Sequence, residues 1–143
     1  MIEFRYYGDA VGKARPRYAR RGDYVHTYTP RNTQVFEEAI KHHCKTACKK
    51  DFPMYPKDTP VKVDVRIAVA IPKSWSKKKR EKAINDEIFP TKKPDLDNVL
   101  KSIYDAMNGF AYEDDSQICM TFAERYYTGG EPFIDVKVEE YHL

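Results

Sequence analysis

The sequence has no long apolar run, and this absence argues against a membrane protein. No stretch approaches the ~18 consecutive apolar residues of a membrane-spanning helix. Residues 1–5 lack the charged and then apolar plan of a secretory signal. We therefore expect a cytoplasmic protein that has no membrane partner.

Cysteine is also scarce. The 3 cysteines, Cys44, Cys48 and Cys119, are an odd number without the spacing of a disulfide framework, so reduced thiols are expected. His42, His43 and the first two cysteines could in principle bind zinc from one helix face. However, Cys44 lies on an apolar stripe and no second ligand pair is in view, which favours a structural role.

The chain of 143 residues predicts one domain, 1–143, that can bury roughly two-thirds of its unfolded surface. Its net charge of +3 is unevenly placed. Residues 1–93 hold 22 Lys and Arg against 11 Asp and Glu, whereas residues 94–143 hold 3 against 11. A basic part suits phosphates and an acidic part suits cations, as a metal-dependent nuclease requires, although an ordinary protein can be equally uneven.

Apolar periodicity predicts an α+β domain with a mainly antiparallel or mixed sheet and two to three helices. A hairpin is expected around residues 21–23, and a second hairpin, with its turn at residues 128–130, should close the chain. The first helix should begin with Thr29 as its N-cap and run to about Lys50. The predicted strands lie near residues 2–6, 61–71, 118–122 and 134–138. The predicted helices lie near 30–50, 76–84 and 97–108, and Ser76 should cap the second of them.

An acidic motif is the most informative part of the chain. It reads Lys-Lys-Pro-Asp-Leu-Asp-Asn at residues 92–98 and is followed by Lys101, Asp105, Asn108-Gly109 and Asp114-Asp115. If the motif enters its helix in extended form, Asp95 and Asp97 point the same way. From Asp97 onward, helical spacing puts Lys101 and Asp105 on one polar stripe.

This stripe could be a salt-bridged solvent face, but two features favour a metal site. Asp95 lies outside the helical spacing and could not join such a row of salt bridges. A second acidic pair, Asp114 and Asp115, follows the helix. Converging carboxylates repel one another unless a cation lies between them, and Mg²⁺ prefers these hard oxygen ligands.

With these residues, the chain resembles the RusA family of Holliday-junction resolvases, short homodimeric endonucleases often found in prophages. The core of the resemblance is Lys-Pro-Asp-Leu-Asp-Asn at 93–98, then Lys101, Asp-Ala-Met-Asn-Gly at 105–109 and Asp-Asp-Ser-Gln-Ile at 114–118. Fainter likeness lies at residues 12–17 and 28–30. Compared with compact members, the segment from Pro72 to Thr91 is longer, which leaves junction preference open.

The resemblance implies a RusA-like fold and a ligand set. Asp95, Asp97 and Asp115 would bind catalytic Mg²⁺, which Mn²⁺ should replace, while Lys101 would assist. Asp114 is a possible alternative ligand. A homodimer would bind four-way junction DNA and nick two strands of like polarity symmetrically, without a small-molecule organic cofactor.

A basic segment before the first helix suits DNA, because cations interleaved with Tyr18 and Tyr24 can contact phosphates and unstacked bases. A solvated hairpin is the simpler alternative. The residues expected to bind DNA are Lys13, Arg15, Arg17, Arg20, Arg21 and Lys93.

Other functions remain open at this point. An Asp-x-Asp motif also occurs in glycosyl- and nucleotidyltransferases, but the chain is short for a nucleotide-binding domain and has no Gly-rich phosphate loop. A non-catalytic DNA-binding or regulatory protein, or a generic metal-dependent nuclease without junction selectivity, would carry the same charges.

Overall fold

The computed structural model describes residues 1–14, 17–28, 30–49 and 51–142, with the backbone alone at residues 17, 21 and 26–28. The elements, in chain order, are β1 (Ile2–Tyr7), β2 (Arg17–Arg21), β3 (Tyr24–Tyr28), α1 (Arg31–Ala47), β4 (Val61–Ala70), α2 (Lys77–Ile84), α3 (Leu96–Ala106), β5 (Ile118–Thr128) and β6 (Phe133–Glu140). This order confirms the predicted α+β class.

The main sheet has the strand order β1-β6-β4-β5, and β2 pairs with β3 in a separate two-stranded sheet. Strand β6 is antiparallel to both β1 and β4, whereas β4 and β5 are parallel and are connected through α2 and α3. The predicted mixed sheet is therefore confirmed. The predicted closing hairpin is wrong, because β4 lies between β5 and β6.

The burial of β4 explains this arrangement. Val61, Val63 and Val65 are fully buried, so β4 is best placed in the middle of the sheet with a partner on each side. Residues 129–132 then connect β5 to β6 across two strand spacings, roughly 10 Å, which four extended residues can span. Because β4 is paired on both sides, it offers no free edge for association with another chain.

The first and third helices cover one face of the sheet and form the core with it. Their buried side chains include Phe36 and Ile40 of α1 and Val99 and Ile103 of α3. In the described part of the chain, no helix has both the length and the apolar character needed to cross a membrane.

The bounds of α1 and α3 differ from the prediction. Helix α1 has Pro30 as its N-cap and ends at Ala47 rather than near Lys50; Thr29 and Lys50 lie outside the described residues. Helix α3 begins at Leu96 and ends at Ala106, one and two residues earlier than expected. Helix α2 is capped as predicted, since the Ser76 hydroxyl accepts a hydrogen bond from the Lys79 amide at 3.2 Å.

Candidate active site

Two carboxylates of the acidic motif lie at the start of α3. Asp95 is the N-cap, and its carbonyl accepts the Val99 amide at 3.1 Å, but its carboxylate makes no capping bond. Asp97 lies in the first turn, where the helix dipole favours negative charge. Both residues are exposed, and neither carboxylate bonds to another described residue. They are thus available to an external cation.

The early start of α3 changes the relation between these two residues. Only Asp95 has extended backbone, whereas Asp97 is already helical, and helix positions two apart do not face each other. The expectation that both side chains alternate to the same side of an extended segment is wrong. Their joint binding of one metal stays a prediction.

Asp115 lies at the other end of α3, close to Asp105 and Asn108. Burial, followed by the nearby charges of Asp114 and Asp105, raises the pKa of Asp115 above its usual value. The side-chain oxygen Oδ1 of Asn108 is buried and has no hydrogen-bond partner among the described residues. Crowded carboxylates beside an unsatisfied amide oxygen form a donor set that suits a hard divalent cation.

Asp114 has a structural task of its own. Its carboxylate oxygen Oδ2 accepts the Ser116 amide at 3.0 Å, and the Ser116 side chain and then this amide lower the pKa of Asp114 by hydrogen bonding. Gln117 completes a capping box by accepting the Asp114 amide at 3.1 Å. The same Gln117 side chain donates to the backbone carbonyls of residues 55, 56 and 59. The capping box uses the carboxylate of Asp114, whereas the carboxylate of Asp115 takes no part in it.

The two acidic groups are separated along the helix. Asp97 and Asp105 are eight positions apart, roughly 12 Å along the axis. Within the described ranges, no three Asp, Glu, His or Cys side chains form a group that could hold a metal ion. The structure brings Asp115 to Asp105 and Asn108 but does not join Asp95 and Asp97 to them, so the three-aspartate ligand set stays a prediction.

Lys13 is the cation that pairs with the acidic stripe. Its Nζ lies 2.6 Å from Glu37 Oε1 and 3.3 Å from Asp105 Oδ2, so it links α1 to α3. Burial lowers the pKa of Lys13, but the bond to Glu37 and the charges of both carboxylates outweigh it and raise the value overall. Lys101, which was expected beside the carboxylates, is exposed and has no ion pair with any described residue.

The loop before Asp95 is held by an arginine from β5. The Arg125 guanidinium donates to the carbonyl oxygens of Pro94 at 2.8 Å, Lys92 at 3.0 Å and Pro90 at 3.3 Å. The planar guanidinium offers several donors in a fixed geometry, which allows one side chain to bind three carbonyls. Arg125 therefore fixes the backbone that leads into the acidic motif.

A second loop packs against the start of α3. The Lys13 amide donates to the Asn98 carbonyl at 3.0 Å, and a Cβ on Gly12 would lie 3.1 Å from the Pro94 Cβ. Only glycine fits this approach without displacing its neighbours. An open cleft of about 700 Å³ adjoins this contact, and Lys93 and Asp95 line it.

The basic hairpin forms as predicted from β2 and β3, and Gly22 turns it with a φ of +62°. Tyr18 is 74% exposed and Tyr24 is 67% exposed, so both rings are available for contacts with a partner. Arg20 is exposed, and its Nε donates to the Gly22 carbonyl at 3.4 Å. Of the other predicted DNA-binding residues, Arg15 lies outside the described residues, and Arg17 and Arg21 are described by backbone alone.

Sequence reasoning missed Arg125, Glu37 and the clamp made by Gln117. The partners of Arg125 lie 31 to 35 residues earlier in the chain, and Glu37 lies 24 residues from Lys13, so no local pattern reveals either contact. One signal was available for Arg125. It falls on the helix-facing side of β5 together with Ala123 and Tyr127, where an isolated arginine needs buried acceptors.

The fold and the acidic motif define a class, a small α+β nuclease. A family model described as Endodeoxyribonuclease RusA matches residues 8–139. The chain belongs to the RusA endodeoxyribonuclease family and is accordingly a hydrolase of DNA. A protein of Bacillus subtilis (strain 168) described as uncharacterized protein YqaN is 36% identical to it over 141 residues, covering 97% of this chain and 96% of that protein.

Proposed function

We propose that this chain is a Mg²⁺-dependent, structure-selective endodeoxyribonuclease that resolves four-way DNA junctions by paired symmetric nicks during recombination and repair. The observation that carries the proposal is the pair of carboxylates at the start of α3, Asp95 and Asp97, which have no partner among the described residues in a chain of the RusA family. Exposed carboxylates at this position are better suited to bind a metal ion that also contacts a DNA phosphate than to form an ion pair within the protein.

Asp95, Asp97 and Asp115 are the proposed ligands, and Mn²⁺ should replace Mg²⁺. The buried, unsatisfied Oδ1 of Asn108 beside Asp115 fits a divalent cation, because hard oxygen atoms are the donors that such ions prefer. The bound metal would supply an activated water and would offset negative charge on the phosphodiester.

The protein's own side chains would then position the DNA. Lys101, which is exposed and unpaired among the described residues, is placed to neutralise a phosphate oxygen or to orient the attacking water. Lys93 lines the cleft that contains Asp95 and would contact the backbone entering it. Tyr18 and Tyr24 of the hairpin are available to stack on unpaired bases at the crossover. No covalent nucleophile is needed.

We further propose that the active species is a homodimer. Resolution needs two equivalent nicks, which a two-fold dimer supplies. The N-terminal half of β5 is a suitable surface, because residues 119–122 are all exposed although the side chains of a strand alternate. Met120 is 45% exposed and Phe122 is 52% exposed on this sheet edge.

Such a dimer would also join the separated acidic groups. Strand β5 begins just after Asp115 and later carries Arg125, which holds the loop before Asp95. Antiparallel pairing of two β5 edges, centred near residue 120, would bring Asp115, three residues before one strand, opposite Arg125 of the other. Asp115 from one copy would then approach Asp95 and Asp97 of the second copy.

A mixed-dimer experiment tests this arrangement. Co-expression of Asp95→Asn and Asp115→Asn chains with two different affinity tags allows purification of the mixed dimer. If each site combines both copies, the mixed dimer has one intact site and nicks one junction strand, whereas each variant alone is inert. The Asp95→Asn with Asp97→Asn mixture is the control, because it leaves no intact site in either arrangement. An inert first mixture would place each site within a single chain.

Junction selectivity is tested separately with wild-type protein. Labelled four-way junction and linear duplex of the same sequence are incubated with Mg²⁺ or with EDTA. Cleavage of the junction alone, and only with Mg²⁺, is the expected result. Equal cutting of both substrates would leave a generic metal-dependent nuclease, and binding without cutting would leave a DNA-binding protein.

A further inference from the structure

The segment between β4 and the acidic motif concentrates positive charge. Residues 73–93 contain 8 Lys and Arg against 3 Asp and Glu, a net charge of +5, whereas the whole chain has +3. The rest of the protein is therefore slightly acidic. Helix α2 lies in this segment and carries most of its cations.

Among the described residues, the lysines of this segment have no acidic partner within 4.0 Å. Elsewhere, Arg5, Lys13 and Arg66 form ion pairs at 2.7 Å or less with carboxylates of other elements. Across the described parts of the chain, no ion pair within 4.0 Å involves a cation of residues 73–93. Lys77, Lys78 and Lys82 are exposed and point their charge to solvent. Unneutralised charge of one sign on one helix suits an anionic partner.

Helix α2 is nevertheless firmly attached to the fold. Ala83 is fully buried, and the Trp75 ring just before the helix packs edge-on against Tyr127 of β5 at 5.1 Å between ring centroids. The Lys79 Nζ lies 4.0 Å from the centroid of the Trp75 ring, and Arg80 donates to the Pro72 carbonyl at 3.3 Å. The apolar contacts of α2 thus face the protein, and its lysines face outward.

This attachment puts α2 next to the loop of the acidic motif. Tyr127 holds Trp75, and Arg125, two positions earlier on the same face of β5, holds the carbonyls of residues 90, 92 and 94. Positions two apart on a strand are separated by roughly 7 Å. The basic helix and the backbone entering Asp95 are therefore anchored side by side.

We propose that α2 is a second phosphate-binding surface, which holds the backbone of a duplex arm beside the cleavage site. This inference rests on the proposed nuclease function and adds a DNA contact to it. A membrane surface fits less well, because Ala83 of α2 is buried and Ile84, 54% exposed, is the one apolar side chain that this helix presents to solvent, too little to insert into lipid. DNA phosphates require only the outward lysines.

The test uses a triple variant of the partner-free lysines, Lys77→Gln, Lys78→Gln and Lys82→Gln. Its matched control changes Lys41, Lys45 and Lys49 to Gln, which removes the same charge from α1 and the residues just after it. Binding to a fluorescent four-way junction is titrated with EDTA present at several salt concentrations. Cleavage is measured in parallel with Mg²⁺, and thermal unfolding confirms that each variant is folded.

If α2 binds phosphates, the α2 variant should bind about tenfold more weakly at moderate salt, and its log–log salt slope should fall by about 0.9 for each lost contact. The junction concentration that gives half-maximal cleavage should rise by about the same factor, because these contacts hold the ground state and the transition state equally. The α1 control should change much less. An α2 variant indistinguishable from the control would overturn the inference while wild-type cleavage still supported the proposed function. Wild-type protein that neither binds nor cuts the junction would overturn both.

Discussion

The Arg125 guanidinium donates to the carbonyl oxygen of Pro94 at 2.8 Å, across 31 residues of sequence. This bond joins the edge strand β5 to the residue that directly precedes the first carboxylate of the acidic motif. The position of Asp95 therefore depends on a side chain from a different part of the fold.

Replacement of Arg125 should reduce Mg²⁺-dependent cleavage more than it reduces the stability of the fold. Arg125→Lys keeps the charge but cannot bind three carbonyls at once, so the loop before Asp95 loses its fixed position. We expect a roughly tenfold slower cleavage at limiting Mg²⁺, partly recovered at high Mg²⁺, since about 1.4 kcal/mol of positioning would be lost. The measurement is the cleavage rate against Mg²⁺ concentration. Arg66→Gln, on the open face of the sheet, is the control and should leave this curve unchanged.

Substitutions of Asp114 and Asp115, the two adjacent aspartates after α3, should have different effects on cleavage. Asp115→Asn, like Asp95→Asn and Asp97→Asn, should abolish cleavage but preserve junction binding, because a ligand charge is lost while size is kept. Asp114→Asn should cut normally, since Asn also serves as an N-cap. Asp114→Ala should lower the melting temperature without abolishing cleavage. Gel-shift and nicking assays on the five variants measure binding and cleavage, and an inactive but folded Asp114→Asn would give Asp114 a ligand role.

A charge on the open part of β5 should separate the proposed dimer. Phe122→Asp places a carboxylate on an exposed edge residue, where burial against a second copy would be costly. Wild-type protein should sediment at about twice 16.8 kDa and the variant at 16.8 kDa, with loss of junction resolution. Phe89→Asp, at a residue that is 51% exposed outside β5, should stay dimeric. A dimeric Phe122→Asp variant would show that the dimer does not form through this part of β5.

Lys13 and Arg20 were predicted to act alike, and the structure now distinguishes them. Lys13→Ala leaves Glu37 and Asp105 unpaired, so we expect a loss of about 1–2 kcal/mol in the free energy of unfolding. Arg20→Gln should leave stability unchanged and reduce the salt slope of DNA binding by about 0.9. Urea unfolding and salt titrations measure the two effects. Unchanged stability of Lys13→Ala would show that its ion pairs contribute little.

Local patterns in the sequence were sufficient for most elements. The alternation of valines in β4, the helical period of α1 and the Ser76 cap of α2 all depend on residues a few positions apart, and each predicted the element correctly. The acidic motif was likewise visible, because its residues lie on one short helix and the turn that follows it.

Only the tertiary structure decided which strands are neighbours and which charges meet. The residues between β5 and β6 are compatible with a closing hairpin and also with a connection that passes over β4. The strand order therefore depended on β4 being buried in the middle of the sheet. The pairing of Lys13 with Glu37 and the hydrogen bonds of Arg125 to the loop before Asp95 join residues that are 24 and 31 positions apart in sequence. Such relations follow from packing against a shared core, which no local pattern encodes.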